Sequence, residues 1–353
     1  MYSEKEEVVW IINSFRKEIK MKVSVIGGGA WGITLAQALS DNDHQVLVRD
    51  VNEMCIEKIN KLHIHHAFAS TIPFSIKGTL DLKEAVDFAD VLLLCVPTKV
   101  MRSVLQEINN LIDKPKLFIN VSKGIEPETS YCVSQIVDEV IDKNKCLGYV
   151  ILSGPSHAEE MIQRKITSLV AASNNRDNAL FVQKLFSNDL YLRVYTSTDV
   201  IGVETGGSVK NAIAIVSGIA TGMGLGENAR AFLISRGIRE IIMIVEALGG
   251  KKETAYGLSG IGDLIVTASS MNSRNFQCGL KIGQGMSVKD ALASMKQTVE
   301  GIKTIEAAYE IGLKYKLDLP IINSAYLVIK ENYDVTTALS KIMSRSLKDE
   351  NIL

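Results

Sequence analysis

The chain has 353 residues, of which 46% are hydrophobic and 22% are charged, and its formal net charge is −1 at pH 7. This length suits two domains, each with a sizeable hydrophobic core. The balanced charge gives no reason to expect a nucleic-acid partner, and no apolar run is long enough to insert into a membrane. The cysteines are scattered and odd in number, which favours reduced thiols in a cytoplasmic protein over disulfides or a zinc site: Cys55, Cys95, Cys132, Cys146 and Cys278.

Residues 1–20 read MYSEKEEVVWIINSFRKEIK and differ in character from the rest of the chain. The segment is rich in charge and lacks the small-residue cleavage site of a secretory signal. A short helix packed on the body or on another subunit is one interpretation of its apolar residues. Because the first strand begins directly after Met21, we favour a disordered N-terminal extension.

From Met21 to about residue 200, apolar strands alternate with helical segments. The predicted helices are WGITLAQALSDN, EMCIEKINK, DLKEAVDF, MRSVLQEINNLI and 129–142. Strands that are apolar throughout and separated by helices predict a parallel sheet covered on both faces. The predicted strands are 22–27, 44–48, 90–97, 116–122, 149–155, 167–173 and 190–197.

Beyond residue 200 the strand signals stop. Helical periodicity runs from 201 to 249 and again from about 287 to 345. The sequence therefore predicts an α/β fold with a domain over residues 21–200 and an all-helical domain over residues 201–353.

A glycine motif comes after the first predicted strand and opens the first helix. Gly27, Gly29 and Gly32 form G-x-G-x-x-G. Such glycines allow a tight turn, a close approach of the backbone to a pyrophosphate and close packing of helix on strand. The exposed amides and the helix dipole then hold the phosphates. The strand–turn–helix context predicts a dinucleotide site.

The end of the second predicted strand bears on the choice of cofactor. Arg49 suits the 2′-phosphate of NADPH, whereas Asp50 suits the free ribose of NADH. Both residues are present, and we favour NADPH slightly over NADH.

Lys210 lies in a stretch with almost no other charge, GGSVKNAIAI. On a helix its neighbours three and four positions away are Gly206, Gly207, Ile213 and Ala214. Either the stem is buried while the amine reaches water, or the amine faces a cleft and functions there.

Three further segments carry candidate groups. Lys123 and the run SGPS at 153–156 each come just beyond a predicted strand, where ligands bind in open α/β sheets. The glycine-rich segment 257–279 contains one acid, Asp263, before Arg274 and Asn275. A guanidinium fork and amide donors near a helix start would suit a phosphate.

These motifs together resemble the bacterial type of NAD(P)-dependent sn-glycerol-3-phosphate dehydrogenase. GGGAWGITLA, SKGIE, SGPSHAEE, GGSVKNAIAI, GLSGIGDLIVT and SRN occur in the order of that family, from Met21 to about Ser344. The resemblance implies an N-terminal Rossmann domain, a C-terminal helical domain and a homodimer. It also implies reversible reduction of dihydroxyacetone phosphate to sn-glycerol 3-phosphate, which feeds phospholipid synthesis.

The resemblance also implies roles for individual residues. Lys210 matches the catalytic lysine that protonates the substrate carbonyl, with Asp263 to orient it and Lys123 as a second positive charge. A lysine does this near neutral pH only if desolvation or a cation lowers its pKa. With Arg49, which follows from its place at the end of the second strand, the predicted cofactor residues are Gly27, Gly29, Ala30, Trp31, Gly32, Arg49, Lys123, Ala158, Arg274, Thr298 and Glu300. The implied substrate residues are Lys123, Gly154, Ser156, Lys210, Asn211, Asp263, Thr267, Ser273, Arg274 and Asn275.

Two features depart from this pattern or stand outside it. Ile33 comes after the third glycine, where the family usually has threonine. His63, His65 and His66 look like a metal cluster, but no carboxylate or cysteine pattern supports them, so we predict three solvated loop histidines and no metal.

Two alternatives to the glycerol-phosphate activity stay open. A related dehydrogenase acting on a 3-hydroxy acid would also use a lysine followed by an asparagine, but its substrate would leave the SRN phosphate clamp unused. A nucleotide-binding sensor that has lost catalysis would bind NADPH without turnover.

Overall fold

The computed structural model describes residues 20–126, 128–295, 298–347 and 349–350. The predicted disordered extension therefore lies outside the described residues, except for Lys20. No described helix is both long enough and apolar enough to cross a bilayer.

Residues 22–197 form an eight-stranded sheet. The strand order β3-β2-β1-β4-β5-β6-β7-β8 contains the 3-2-1-4-5-6 order of dinucleotide-binding sheets. Every neighbouring pair is parallel except β6 and β7, which are antiparallel. The strands are β1 Lys22–Ile26, β2 Gln45–Arg49, β3 Lys77–Thr79, β4 Val91–Leu94, β5 Lys116–Asn120, β6 Cys146–Ser153, β7 Thr167–Ala172 and β8 Leu192–Ser197.

Helices cover both faces of this sheet because its strands are apolar on both sides. One core cluster joins alternate residues of the strands to α1, α2 and α7, and a second joins the other face to α3, α4 and α5. The helices of this region are α1 Ala30–Asp41, α2 Glu53–Leu62, α3 Leu82–Phe88, α4 Thr98–Leu111, α5 Val133–Val140, α6 Ala158–Met161 and α7 Arg176–Phe186.

The chain from residue 200 onward is helical and has its own core around α8. A Cβ on Gly218 would lie 2.2 Å from the Phe276 carbonyl oxygen, and one on Gly279 would lie 2.0 Å from that of Ile215. Glycine on both helices thus lets α8 and α12 pack backbone against backbone. The helices are α8 Val200–Gly222, α9 Gly226–Ala247, α10 Lys252–Ala255, α11 Asp263–Ala268, α12 Arg274–Gly283, α13 Val288–Ala293, α14 Gly301–Tyr315, α15 Pro320–Lys330 and α16 Val335–Met343.

The fold class is the predicted one, an α/β sheet followed by helices, but three details differ. The sequence prediction missed β3, a three-residue edge strand reading KGT. It also assumed a wholly parallel sheet, whereas β6 and β7 are antiparallel. An apolar run does not indicate whether its strand is parallel or antiparallel to the neighbouring strand. Finally, the glycine-rich region between 252 and 283 contains three helices and a turn of π-helix, Leu258–Gly262.

Candidate active site

The predicted glycine loop connects β1 to α1 and needs glycine for steric reasons. Gly27 has a φ of +114°, and a Cβ there would lie 2.8 Å from the Cys95 carbonyl. A Cβ on Gly32 would lie 2.0 Å from the carbonyl oxygen of Gly27. Gly29 has no atom within 4 Å of its Cβ position, so the backbone is open to a ligand there.

Ala30 and Trp31 begin α1, directly after the N-cap residue Gly29. The first N–H groups of a helix have no partner within the helix and point outward along its axis. The helix end therefore offers amide donors and a positive dipole to a pyrophosphate. Trp31 is half-buried and packs against the core of the sheet.

The two residues at the end of β2 have different environments. Asp50 accepts hydrogen bonds from the backbone N–H of Gly28 at 2.7 Å and of Asn52 at 2.8 Å. Arg49 is half-buried, and its Nε has no hydrogen-bond partner among the described residues. The carboxylate is thus engaged by backbone, whereas the buried Nε of Arg49 is left without a partner among the described residues.

The prediction of three solvated histidines is wrong for His65, which is 1% exposed. Its Nε2 lies 2.9 Å from the Gly28 carbonyl oxygen, and Cys55 packs beside it. The polar run LHIHHAF resembles a surface loop, and only the fold brings the buried glycine carbonyl to this ring.

Lys210 lies in the middle of α8 and is 5% exposed. A helix that is apolar almost all round must be central, and α8 packs between the sheet and the other helices. The amine therefore does not extend to the surface, as one of the two sequence interpretations required. It donates to Asp263 Oδ1 at 2.8 Å and to Thr267 Oγ1 at 2.6 Å.

Two lysines share one buried carboxylate at this point. Asp263 is 1% exposed, and its second oxygen accepts from Lys123 Nζ at 2.7 Å. Lys123 comes after β5 and also donates to the Gly154 carbonyl, which comes after β6, at 3.0 Å. The ends of two parallel strands therefore meet the middle of α8 and the start of α11.

The charges at this centre perturb one another. The pKa of Lys210 is lowered to about 8: burial is the largest cause, the Asp263 charge opposes the shift, and the Lys123 charge adds to it. Burial raises the pKa of Asp263, but the two ammonium groups outweigh this and hold it below its ordinary value. A carboxylate that stays ionised beside a lysine poised near neutral pH is an arrangement suited to proton transfer.

Several predicted substrate residues also have partners within the protein. The Asn275 amide donates to Asn211 at 2.9 Å and its oxygen accepts from the Gly301 N–H at 2.9 Å. Ser273 is the N-cap of α12 and accepts from the Phe276 N–H. These side chains hold α8, α12 and α14 together and so fix the positions of the helices that carry the site residues.

Arg274 is exposed at the first position of α12, a helix N-terminus with donors of its own. Glu300 is half-buried at the start of α14. Burial raises its pKa, while the Arg274 charge and a hydrogen bond from the Thr98 backbone lower it. Thr298 is exposed two residues before it. The residue before α14 thus meets the N-terminus of α4.

The segment after β6 contains the remaining predicted residues. Gly154 has a φ of +146°, and a Cβ there would press on the β7 backbone. Ser156 donates to the Gly154 carbonyl at 3.0 Å, and Ala158 begins α6.

Two buried hydroxyls lie at the carboxyl ends of strands. Thr98 Oγ1 and Ser153 Oγ have no hydrogen-bond partner within the described part of the chain. Thr98 begins α4 after β4, and Ser153 ends β6 beside Gly207 of α8. Ser153 opens the SGPS run that the sequence analysis placed near a ligand, whereas Thr98 was missed, although its position after a strand could have identified it.

Comparison with known proteins shows the family of this chain. The profile of the NAD-dependent glycerol-3-phosphate dehydrogenase N-terminus matches residues 22–179, and that of the C-terminus matches residues 199–340. The glycerol-3-phosphate dehydrogenase (NAD(P)+) of Acholeplasma laidlawii is 56% identical over 94% of this chain and all of the relative. Its counterpart in Phytoplasma mali is 46% identical over 94% of this chain and all of that relative.

A solved structure extends the likeness to three dimensions. The crystal structure of glycerol-3-phosphate dehydrogenase from Coxiella burnetii superposes with a TM-score of 0.87. It is 29% identical and covers 92% of this chain and 99% of its own. The chain belongs to the NAD-dependent glycerol-3-phosphate dehydrogenase family of oxidoreductases.

Proposed function

We propose that the chain catalyses the reversible reduction of dihydroxyacetone phosphate to sn-glycerol 3-phosphate with NADPH or NADH. The observation that carries this is the buried Lys123–Asp263–Lys210 centre at the carboxyl ends of β5 and β6. Membership of the family and the open glycine loop supply the substrate class and the cofactor class.

Lys210 moves the proton in this proposal. In the direction of reduction, its charged Nζ donates a proton to the C2 carbonyl oxygen while a hydride arrives at C2, so that the ketone becomes an alcohol. In the reverse direction, the neutral amine takes the hydroxyl proton. The bound nicotinamide ring supplies or accepts the hydride.

Asp263 and Lys123 set the charge at the reacting oxygen. The carboxylate holds the Lys210 amine in place and balances one of the two ammonium charges. Lys123 lies on the other side of Asp263, 15% exposed at its side chain, and so faces the space left for substrate. Two positive donors favour the negative charge that develops on the oxygen during hydride transfer.

We assign the substrate phosphate to Arg274 and the N-terminus of α12. Arg274 is the exposed cation of the SRN segment, and its guanidinium can form two parallel bonds to a phosphate. Ser273 and Asn275, which are bonded within the protein, position this helix end. The absence of a phosphate from a 3-hydroxy acid disfavours that alternative substrate class.

The cofactor site fits a dinucleotide in this structure, and we propose NADPH as the preferred form. The open position at Gly29 admits the pyrophosphate, and the half-buried Arg49 brings a cation to the end of β2 for a 2′-phosphate. Asp50 is engaged by two backbone amides, which supports the same preference. Glu300 and Thr298 then close over the nicotinamide half from the opposite side.

We further propose a cytoplasmic homodimer whose product feeds phospholipid synthesis. All five cysteines are free thiols, in keeping with a reducing compartment. Residues 21–200 would bind the cofactor, and residues 201–353 would supply Lys210 and the subunit interface. Light scattering on a sizing column tests the dimer: a monomeric mass would contradict it.

The reaction is tested by following oxidation of NADPH and NADH in absorbance, with dihydroxyacetone phosphate beside unphosphorylated dihydroxyacetone. Fast turnover restricted to the phosphorylated ketone would support both the reaction and the phosphate assignment. Turnover with a 3-keto acid in its place would favour the alternative dehydrogenase. Tight NADPH binding without any turnover would favour a sensor.

A further inference from the structure

The peptide groups around Gly28, inside the glycine loop, are fixed by side chains from outside the loop. The Gly28 N–H donates to Asp50 Oδ2 at 2.7 Å. The Gly28 carbonyl oxygen lies 2.9 Å from His65 Nε2 and 3.6 Å from Cys55 Sγ. Both polar groups of one residue at the tip of the proposed pyrophosphate loop are therefore engaged.

The tautomer of His65 can be assigned from its second contact. The Ala67 N–H donates to His65 Nδ1 at 3.2 Å, so Nδ1 is an acceptor. In a neutral imidazole the other nitrogen then has the proton, and Nε2 donates to Gly28. Burial lowers the pKa of His65 to about 4, which keeps the ring in this neutral form at neutral pH.

The direction of the Gly28 carbonyl fixes the direction of the next amide. Carbonyl and N–H of one trans peptide point opposite ways. Because the carbonyl points into the buried ring of His65, the N–H of Gly29 points to the other side. Space for a ligand is available beside this residue, since no atom lies within 4 Å of the Gly29 Cβ position.

We propose that Asp50 and His65 form a brace that holds the Gly28 peptides so that the loop amides face the cofactor pyrophosphate. Both are positioning residues: they touch the loop and not the reacting atoms. The proposal rests on the proposed cofactor site and adds a reason for its shape. Without the brace, ordering of the loop would oppose binding of the pyrophosphate.

A metal site is the competing interpretation of the same residues. Cys55, His65 and His66 each offer a ligand atom, and these atoms lie within 4.8 Å of one another. However, both ring nitrogens of His65 are engaged by backbone, and burial raises the pKa of the Cys55 thiol to about 11. A metal ligand needs a free ring nitrogen and a thiolate, so the geometry favours the brace.

The test is calorimetric binding of NADPH, NADH and adenosine 2′-monophosphate to the full chain. His65→Leu removes the donor, and we expect Kd for NADPH and NADH to rise about tenfold. Adenosine 2′-monophosphate has no pyrophosphate, so its affinity should stay at the wild-type value. Loss of binding of all three would indicate general damage and overturn the brace.

Two variants make this result specific. His65→Gln keeps an N–H donor on a side chain of similar reach and should restore most of the affinity. His63→Asn is the matched control in the same loop: His63 has a φ of 51°, which asparagine tolerates, and it should bind like wild type.

Asp50→Ala separates the brace from a ribose contact. A brace predicts equal weakening of NADPH and NADH, whereas a ribose ligand predicts loss of NADH binding alone. Unchanged binding in His65→Leu would overturn the brace while leaving the cofactor site intact. A stoichiometric divalent metal in the wild type that His65→Gln releases would overturn it in favour of a metal site. A wild type that binds neither nucleotide would overturn the cofactor assignment and the brace together.

Discussion

The glycine loop and the lysine centre are built in opposite ways. In the glycine loop, the proposed ligand contacts come from backbone amides of consecutive residues, and the side chains only hold the loop in place. In the lysine centre, the contacts come from charged side chains that lie far apart in the chain, Lys123, Lys210 and Asp263. The loop depends on residues small enough to keep its backbone path, whereas the centre depends on the charges of its side chains.

This difference determines what a substitution does. The loop tolerates changes that keep its backbone path, because its donors belong to every residue type except proline. The centre tolerates almost none, because Lys123 and Lys210 both bond Asp263, and loss of that carboxylate would leave two ammonium groups without compensation. We therefore expect substitutions in the lysine centre to have larger effects than substitutions in the loop region.

The largest effect should come from Lys210→Ala. We expect kcat to fall by about 10²–10⁴-fold, since a positioned proton donor contributes this much. Kd for NADPH should stay near the wild-type value, because the glycine loop is separate from this lysine. Steady-state kinetics and calorimetry on the same preparation check both numbers.

Lys210→Met controls for the cavity that alanine leaves, since methionine fills much of the lysine volume. Its kcat should be as low as that of Lys210→Ala. Turnover near the wild-type rate in either folded variant would exclude Lys210 as the proton donor.

Arg274→Ala should come next. Removal of the guanidinium takes away charge-assisted hydrogen bonds to the substrate phosphate, and we expect KM for dihydroxyacetone phosphate to rise about 10- to 100-fold. Arg274→Lys keeps the positive charge but loses the two parallel donors of the guanidinium, so its KM should lie between those of the wild type and Arg274→Ala. Activity on unphosphorylated dihydroxyacetone serves as the control and should not change. An unaltered KM for the phosphorylated substrate would remove Arg274 from the phosphate site.

The pH dependence should report on Lys210. Burial lowers its pKa to about 8, and reduction needs the charged form, so the reduction rate should fall above pH 8. Oxidation needs the neutral amine and should fall below pH 8 instead. The loss is about tenfold for each pH unit past the pKa. Rate profiles in both directions at saturating cofactor would show the two opposite slopes.

Asp263→Asn sharpens the pH prediction. The Asp263 charge raises the pKa of Lys210, so its removal should move the break of both profiles to lower pH. If the break stays at the same pH in this variant, the group that titrates in the profiles is not Lys210.

The sequence allowed the loop to be predicted almost completely, and the centre only in part. Spacing and the strand–turn–helix context identified Gly27, Gly29 and Gly32, because turn, strand and helix are adjacent in the chain. Apolar neighbours at helical spacing indicated a buried stem for Lys210 but left open whether its amine reaches water or faces a cleft. That Asp263 bridges it to Lys123 depends on the packing of α8 against β6 and α11, which no local pattern contains.

Contacts that the sequence did not indicate have physical causes of the same kind. Ser273 and Asn275, which stay predicted substrate residues, also cap α12 and join α8 to α14. His65 looks solvated, yet it meets the Gly28 carbonyl. In each case a polar side chain finds its partner in a distant segment, so its role could not be read from its neighbours.

The smallest effect should come from Arg49→Gln, at the edge of the loop region. A half-exposed cation contributes about 1 kcal/mol to binding an anion, so the NADPH-to-NADH affinity ratio should fall about fivefold. Affinity for NADH itself should not change, because NADH has no 2′-phosphate for Arg49 to meet. High salt should shrink the difference between wild type and variant, since exposed charges are screened. An equal loss of affinity for NADPH and NADH would instead show that Arg49 shapes the loop and does not contact the 2′-phosphate.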